Sequence, residues 1–338
     1  MPRVREIEVF RLALPYGRRP ESILVRLTDY GGMTGWGEVV EVPCLDKAWS
    51  MLEETLAPAL LGLDWEHPDE LPPAAGGTAG DMACWDLWAR MSGVPLSHAL
   101  GGTRTSLMAT VRIGADRSLE SLVARVNRQV CGGYAHVTLD VHPGWDVEPV
   151  RAVRNAYPGL AISVDAHGAY TGAEQLVALD AYDIEVIERP FADSDVVGHA
   201  ELQDQVAAAV AVETGSEGRL MEYIEAGAAR AMLLRPSAFA TLAEVRRAHD
   251  RAVSAGWDIL CAGGQGTGLA RAAAVAVASM PGCTLPCDVT QPPRNAQIVE
   301  PPVGASGGVI AVPLTQPGLG HTVDESRLRR LAKESFSA

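Results

Sequence analysis

The sequence lacks the two kinds of apolar segment that would place it in or across a membrane. Its 338 residues contain no apolar run of the length that spans a bilayer. The N-terminal stretch MPRVREIEVF has no apolar region of the signal-peptide type. The hydrophobic fraction of 47% and the charged fraction of 21% are typical of a globular protein. The sequence therefore predicts a cytoplasmic protein with no membrane contact.

Positive charge is also scarce. Asp and Glu number 42 against 28 for Lys and Arg, which gives a formal net charge of -14, and no basic stripe offers contacts to phosphates. These features exclude a nucleic-acid surface. An anionic substrate would need a local cationic centre in this negative field, and a bound metal ion would supply one.

Two sequence patterns of known ligand sites are missing. The six cysteines follow no zinc-ligand spacing, and Cys283 and Cys287 have no second pair or histidines nearby. In a chain of this length they are expected to be reduced and mostly buried thiols. No Gly-rich phosphate-binding fingerprint follows the first strand of the parallel sheet predicted below.

Residues 1–100 are predicted to form an α+β capping domain. Alternating apolar residues at 7–9 and 23–27 predict half-buried strands, and MTGWGEVV at 33–40 predicts their partner. Cys84, Leu87, Trp88 and Met91 follow helical spacing, which predicts a helix whose tryptophan-rich face packs in the core.

Eight short apolar runs alternate with helical stretches between residues 101 and 300. Eight strand–helix units in series predict a parallel sheet closed as a (β/α)-barrel. An open doubly wound sheet is the alternative, which the missing phosphate fingerprint disfavours. Residues 301–338 are predicted to pack back on the capping domain. The runs are Ala109–Ile113, Val137–Val141, Ala161–Val164, Ile184–Ile187, Ala208–Val212, Ala231–Leu234, Ile259–Cys261 and Thr284–Pro286.

Carboxylates end three successive runs of the predicted barrel. Asp165 follows the third run, Glu188 the fourth and Glu213 the fifth, so all three should meet at the mouth. Three like charges this close repel one another unless a cation neutralises them, and a hard divalent cation prefers oxygen ligands. The sequence therefore predicts a Mg²⁺ (or Mn²⁺) site. The alternative is three separate strand-end charges, each paired with an arginine.

Several motifs resemble the enolase superfamily over nearly the whole chain. The similarity is greatest to the muconate-lactonizing subgroup that holds o-succinylbenzoate synthase and N-acylamino acid racemase. The motifs are Gly35-Trp36-Gly37-Glu38, Ala83-Cys84-Trp85-Asp86-Leu87, the stretch Gly133–Tyr170, Ile187-Glu188-Arg189-Pro190, Ala262–Arg271, and Ile310–Pro313 with Pro317–Gly320.

The resemblance implies a metal that binds a substrate carboxylate and stabilises the enediolate formed when the α-proton leaves. In this subgroup the bases are two lysines: the second of a Lys-x-Lys pair on the second strand, and one before a proline on the sixth. Here Thr138 and Asp140 occupy the pair, and Arg235 precedes Pro236. An arginine does not lose its proton near neutral pH, so Arg235 is not a general base.

Other positions also depart from the family pattern. Thr214 stands where an acid follows the third ligand, Gly266 where an acid lies on the seventh-strand loop, and His167 where an Asn follows the first ligand. Only the segment from Tyr16 to Glu21 joins the first two strands, where relatives carry a longer loop over the barrel mouth. Substrate specificity is therefore not transferred from the family.

Two functions remain open on the sequence. The first is an enzyme that keeps metal-assisted enolate chemistry on a small carboxylate, an isomerase or lyase, with Asp140 and His167 as acid/base candidates. The alternative for His167 is a hydrogen bond to a metal ligand or a place that fills the pocket, and for Asp140 it is pairing with a nearby cation. Arg235 would pair with Asp140 or hold an anionic group of the substrate. The second is a non-catalytic protein that binds a carboxylate or a metal. Asp288 is expected to be structural or solvated, although its place after the eighth run would also let it face the mouth. The oligomeric state is open, with a homo-oligomer as one candidate.

Overall fold

The computed structural model describes residues 2–15, 21–40, 44–71, 77–289 and 295–338. Residues 16–20 of the predicted short loop lie outside the described residues. The strands are β1 Val4–Ala13, β2 Glu21–Asp29, β3 Thr34–Val39, β4 Ser106–Met108, β5 Val111–Ile113, β6 His136–Asp140, β7 Ala161–Asp165, β8 Val186–Glu188, β9 Ala209–Val212, β10 Ala231–Leu234, β11 Asp258–Cys261, β12 Val299–Glu300, β13 Val309–Ala311, β14 Thr322–Val323 and β15 Ala332–Ser337.

Helices fill most of the intervals between these strands. The first is continuous from 45 to 60, with a π-helical segment Leu52–Leu56 between its two α-helical parts. Short 3₁₀ helices occur at Pro68–Glu70, Ala173–Gln175, Val177–Tyr182 and Pro236–Ala238. The α-helices are α1 Leu45–Met51, α2 Ala57–Leu60, α3 Gly77–Met91, α4 Leu96–Ala99, α5 Leu119–Cys131, α6 Val147–Ala156, α7 Val196–Gln205, α8 Glu217–Glu225, α9 Leu242–Ser254, α10 Leu269–Ala278 and α11 Glu325–Leu331.

The N-terminal sheet is antiparallel, in the order β15-β1-β2-β3. Helix α3 packs closely on β3 because β3 carries glycines at its contact points. A Cβ atom at Gly37 would lie 1.9 Å from the carbonyl oxygen of Ala79, and one at Gly35 would lie 2.2 Å from that of Ala83. The last strand of the chain, β15, pairs with the first. The domain boundaries at residues 100 and 300 stay predictions.

A curled parallel sheet of seven strands, in the order β11-β10-β9-β8-β7-β6-β5, carries the predicted α/β-barrel architecture, with helices between its strands. The eighth predicted strand, Thr284–Pro286, is not a strand. Instead, Cys287 and Asp288 each make one parallel bridge, to Ala109 and Ala262 at the two edges of the sheet. Proline has no N–H to donate, so Pro286 cannot continue a ladder on both sides.

The register of the parallel strands determines how far along the barrel each candidate residue lies. Asp140 pairs with Asp165 across β6 and β7, and Asp165 pairs with Glu188 across β7 and β8. Glu213 directly follows β9, and Arg235 directly follows β10. Since carboxyl ends of parallel strands share one edge of the sheet, these residues meet at the barrel mouth, as the run ends predict.

Glu38 joins the N-terminal sheet to the barrel. Its buried Oε1 accepts hydrogen bonds from Ser22 Oγ at 2.8 Å and from the backbone N–H of Thr267 at 2.6 Å, while Oε2 accepts from Ala270 N–H at 2.9 Å. The carboxylate thus satisfies N–H groups at the start of α10. A Cβ atom at Gly266 would lie 2.7 Å from Glu38 Oε1, which explains why a glycine occupies this loop position.

Asp81 forms a second link between the two parts of the chain. It lies on α3, and its Oδ2 accepts a hydrogen bond from Leu242 N–H at 2.7 Å, at the first turn of α9. Burial raises the pKa of Asp81 to about 7, and repulsion from Asp69 and Glu244 adds to the increase. The hydrogen bond from Leu242 N–H lowers the pKa but does not offset the burial, so this carboxyl is about half protonated near neutral pH.

This pKa predicts a pH dependence of stability. The folded-state pKa lies above the unfolded value of about 3.9, so the folded protein binds more protons between these values. The contribution of Asp81 to the free energy of unfolding should therefore fall as pH rises from about 4 to about 7 and level off above. Asp81→Asn keeps the acceptor oxygen and should be more stable than wild type at pH 8 by roughly 2–4 kcal/mol, a difference that vanishes near pH 4. Urea unfolding at a series of pH values measures both slopes, and identical slopes would contradict the prediction.

All six cysteines are free thiols, and four of them are buried. Within the described parts of the chain, no helix combines the length and the apolar character that a bilayer crossing requires.

Candidate active site and metal centre

Five carboxylates surround the barrel mouth. Two of them are fully buried, and the other three are partly accessible. Burying charge is costly unless it is compensated, so the partners of these groups decide what the site can do. The five are Asp165 and Glu188, both buried, with Asp140, Glu213 and Asp288.

Arg112 extends from β5 into the middle of this group. Its Nη1 donates to Asp165, its Nη2 donates to Glu188 Oε2 at 2.5 Å, and its Nε donates to Asp288. One planar guanidinium therefore contacts three different carboxylates. Asp288 is thus part of the centre, which agrees with the alternative that it faces the mouth and not with a purely structural or solvated role.

Two more arginines contact the same cluster. Arg189 donates from Nε to Asp165 Oδ1 at 3.2 Å, from Nη2 to Asp165 Oδ2, and from Nη1 to Glu213 Oε2 at 3.0 Å. Arg235 Nε donates to Glu213 Oε1 at 2.7 Å. Arg189 therefore bridges the first and third predicted metal ligands, as Arg112 bridges the first and second.

The arginines and the burial act in opposite directions on the carboxyl pKa values. Burial opposes ionisation of Asp165, but Arg112 and Arg189 outweigh it and hold the pKa of Asp165 below its usual value. At Glu213 the same balance, with Arg235 as the main cation, also lowers the pKa. At Glu188 the effect of burial is larger than the attraction of Arg112, and the pKa is raised to about 7.

The donor set of this centre fits a hard divalent cation. Glu188 Oε1 and Asp140 Oδ1 are buried oxygens that accept no hydrogen bond from any residue in the described ranges. In the described part of the chain, three guanidiniums also contact four of the five carboxylates, which keeps most of these oxygens at one place. Carboxylate oxygens are also the ligands that Mg²⁺ prefers.

The geometry brings a different triad closest together. In the described part of the chain, Asp140, Asp165 and His167 form the group of three whose ligand atoms lie within 4.8 Å of one another. The predicted set of Asp165, Glu188 and Glu213 does not form such a group, since Arg112 and Arg189 lie between its members. The predicted ligand set stays a prediction.

Asp140 and His167 are neighbours at the mouth. His167 Nε2 lies 3.1 Å from Asp140 Oδ1, a polar contact that does not meet the geometry of a hydrogen bond. His167 Nδ1 lies 2.9 Å from Arg189 Nη2, and a guanidinium only donates, so Nδ1 is the acceptor. The proton of a neutral His167 is therefore on Nε2, facing Asp140. Both His167 and Arg189 have left-handed φ angles, 51° and 48°, which set these directions.

A cavity of about 360 Å³ opens beside this pair, on the side of β8 and β9. Its volume lies within the range of small-molecule sites. Of the three predicted catalytic residues, His167 lines it. Other lining residues are Arg189, Phe191, His199, Glu213 and Tyr223.

Sequence reasoning missed Arg112 and Arg189. A usable signal existed for Arg112, because a charged residue inside the apolar run Ala109–Ile113 needs a buried partner. Arg189 stands directly after a predicted ligand. The chain has lysines only at Lys47 and Lys333, both outside residues 101–300, so no lysine of the barrel can serve as an acid or base.

Comparisons with known proteins agree with this architecture. Residues 6–101 match the mandelate racemase / muconate lactonizing enzyme N-terminal domain, and residues 121–327 match the enolase C-terminal domain-like family. An o-succinylbenzoate synthase of Geobacillus kaustophilus is 33% identical over 331 residues, which cover 92% of this chain and 88% of the relative. An N-succinylamino acid racemase of Thermus thermophilus is 33% identical over 327 residues, which cover 90% of this chain and 88% of the relative.

A solved structure of an enolase superfamily member from Listeria innocua has a TM-score of 0.91 and 26% identity, and the match covers 100% of this chain and 99% of that one. Named relatives thus include both a synthase of the lyase type and a racemase of the isomerase type. The chain belongs to the enolase superfamily, with the N-terminal domain of the mandelate racemase and muconate lactonizing enzymes.

Proposed function

We propose that the chain is an enzyme that removes the proton from the carbon next to the carboxylate of a small substrate and gives an isomerase or lyase reaction. The observation that carries the proposal is the placement of Asp140 and His167 beside Asp165, at one level of the barrel mouth. The relatives that are named for racemase and synthase reactions support the reaction class.

Mg²⁺ or Mn²⁺, held by Asp165, Glu188 and Glu213, is part of this proposal. When bound, such an ion stabilises the negative charge that develops on the substrate carboxylate as the α-proton leaves. The choice of Asp165, Glu188 and Glu213 over the Asp140 triad rests on ligand chemistry, because imidazole nitrogen suits transition metals better than Mg²⁺. It also leaves Asp140 and His167 for proton transfer.

Asp140 is the proposed base. Its Oδ1 accepts no hydrogen bond of normal geometry from the described residues, and a Cβ atom at Gly114 would lie only 3.3 Å from Oδ2, so a glycine keeps this side open. His167 Nε2–H faces Asp140 and would hold it in position as a carboxylate. Arg235 cannot lose its proton, so we assign it to positioning Glu213 or to binding an anionic group of the substrate.

Solvent exchange tests this proposal. A panel of small carboxylic acids, including N-succinylamino acids, is incubated with the enzyme in D₂O with millimolar Mg²⁺, and loss of the α-proton signal is followed by NMR. We expect exchange on at least one acid, and less with EDTA. We expect N-succinylamino acid racemisation and o-succinylbenzoate synthesis to stay below about 1 per second, because the barrel offers no lysine on either face of the substrate. Either reaction at higher rates would show that the proposed acid/base groups are wrong.

A non-catalytic carboxylate-binding protein is the second candidate. The contacts of Arg112 and Arg189 with Asp165 favour it, because two guanidiniums already compensate the charge of this carboxylate. Binding of an acid from the panel, seen by calorimetry, with no exchange of its α-proton over days would identify this function.

A further inference from the structure

Arg112 occupies the position between two of the proposed metal ligands. Its Nη1 and Nη2 donate to Asp165 and Glu188, which end neighbouring strands, and its Nε donates to Asp288. Each of the three guanidinium nitrogens donates a hydrogen bond to a different carboxylate. An ion that contacts Asp165 and Glu188 together would lie in the space that the guanidinium fills.

Asp165 has little capacity left for another cation. Its Oδ2 accepts from both Arg112 and Arg189, and its Oδ1 accepts from Arg189 Nε at 3.2 Å and from the backbone N–H of His167 at 3.0 Å. A cation that approaches these oxygens also meets two positive charges at contact distance, which repel it. Of the two arginines, only Arg112 also contacts Glu188 in the described structure.

We propose that Arg112 is a tethered internal cation that competes with the divalent metal ion for Asp165 and Glu188. The guanidinium and the ion exclude each other, so metal binding requires Arg112 to withdraw from the two carboxylates. This inference rests on the proposed metal site. Its consequence is a metal affinity set by Arg112: the apparent Kd is raised in the wild-type protein and falls when the guanidinium is removed.

Metal titration of Arg112 variants tests this competition. Mg²⁺ binding is measured by calorimetry, and Mn²⁺ binding by electron paramagnetic resonance, on wild type, Arg112→Gln and Arg112→Lys. Losing the competitor should lower the apparent Kd of Arg112→Gln by about 10-fold or more, within the usual range for two coupled ligands. Arg112→Lys should fall between them, since one ammonium cannot contact three carboxylates in the fork geometry. Arg251→Gln removes one exposed guanidinium, paired with Glu217 at 3.4 Å, and controls for net charge.

The outcomes separate this inference from the proposed function. Tighter metal binding in Arg112→Gln with Arg251→Gln unchanged supports the competition. Metal binding in Arg112→Gln but not in wild type also supports the competition. It would mean, however, that the wild-type protein does not use the metal ion that the proposed function includes. Equal or weaker binding in the variant overturns the competition and leaves the metal site standing, and no binding in any of the proteins overturns both. If Arg112→Gln does not fold, Arg112→Lys retains the charge that the acidic cluster needs and decides by the same comparison.

Discussion

Asp140→Asn should lower the rate of α-proton exchange by about 10²–10⁴-fold, the usual contribution of a general base. The amide has nearly the shape of the carboxylate but cannot accept the proton. Asp140 lies at the end of β6, beside His167 and level with Asp165, so the change acts on the proton-transfer group of the proposal. The measurement is the exchange rate in D₂O at saturating substrate and Mg²⁺.

Two comparisons make the Asp140 result specific. Asp258→Asn changes an aspartate at the opposite end of β11, where its Oδ1 accepts from Thr284 Oγ1 at 2.5 Å, and should leave exchange unchanged. His167→Asn removes the group that faces Asp140 and should lower the rate while substrate affinity is largely retained. An Asp140→Asn protein that folds and exchanges at the wild-type rate would remove Asp140 from the chemistry.

Glu188→Ala should abolish the rise in thermal stability that Mg²⁺ gives to the wild-type protein. A ligand that binds only the folded state stabilises it by about 2.7 kcal/mol at 100 times its Kd, and each kcal/mol raises the Tm of a large domain by about 2–4 °C. Glu188 is buried and carries an oxygen with no described hydrogen-bond donor, so its loss removes a central ligand. The measurement is the Tm in a Mg²⁺ titration.

Glu185→Ala is the matched control for this experiment. Glu185 precedes β8 at the other end of the barrel and is about half exposed, with His136 Nε2 3.4 Å away. Its variant should keep the full Mg²⁺ effect. If Glu188→Ala also keeps it, the proposed ligand set is wrong. Loss of the effect in Asp140→Ala and His167→Ala instead would assign the ion to the triad that the geometry brings together.

Periodicity was enough to predict most of the fold, because the patterns of strands and helices depend on residues that are close together in the sequence. The run Ala231–Leu234 coincides with β10, and the predicted helical face from Cys84 to Met91 lies within α3. The prediction of the eighth strand was wrong, because closure of the barrel depends on contacts between residues far apart in the sequence. Its place is taken by single bridges at Cys287 and Asp288, the two residues directly after the predicted run.

The candidate site was predictable in position but not in charge balance. Strand ends predicted that Asp165 and Glu188 would meet, and the register confirms that they are paired. No spacing rule indicated that Arg112, 53 positions before Asp165, would lie between them. That contact depends on the curl of the sheet, because β6 and β7 separate β5 from β8 and one side chain nevertheless reaches from β5 to the end of β8.

The missing acid at Gly266 shows the same limit. The resemblance identified a glycine where relatives have an acid, but it did not indicate why the glycine is there. In the structure the buried carboxylate of Glu38 occupies the space next to Gly266 and already accepts the N–H of Thr267. A side chain at this position would therefore need the loop or Glu38 to move in this chain. Glu38 belongs to a motif that the chain shares with the family, so nothing in the structure explains why relatives carry an acid here.

The most direct test of the proposed chemistry is a crystal structure of the wild-type protein with Mg²⁺ and an exchanging carboxylic acid. The proposal predicts the ion on Asp165, Glu188 and Glu213, the substrate carboxylate on the ion, and Asp140 within hydrogen-bond reach of the α-proton, about 2.6–3.2 Å between heavy atoms or through one water. An α-carbon that faces neither Asp140 nor His167, or an acid held by arginines with no ion beside it, would contradict the proposal.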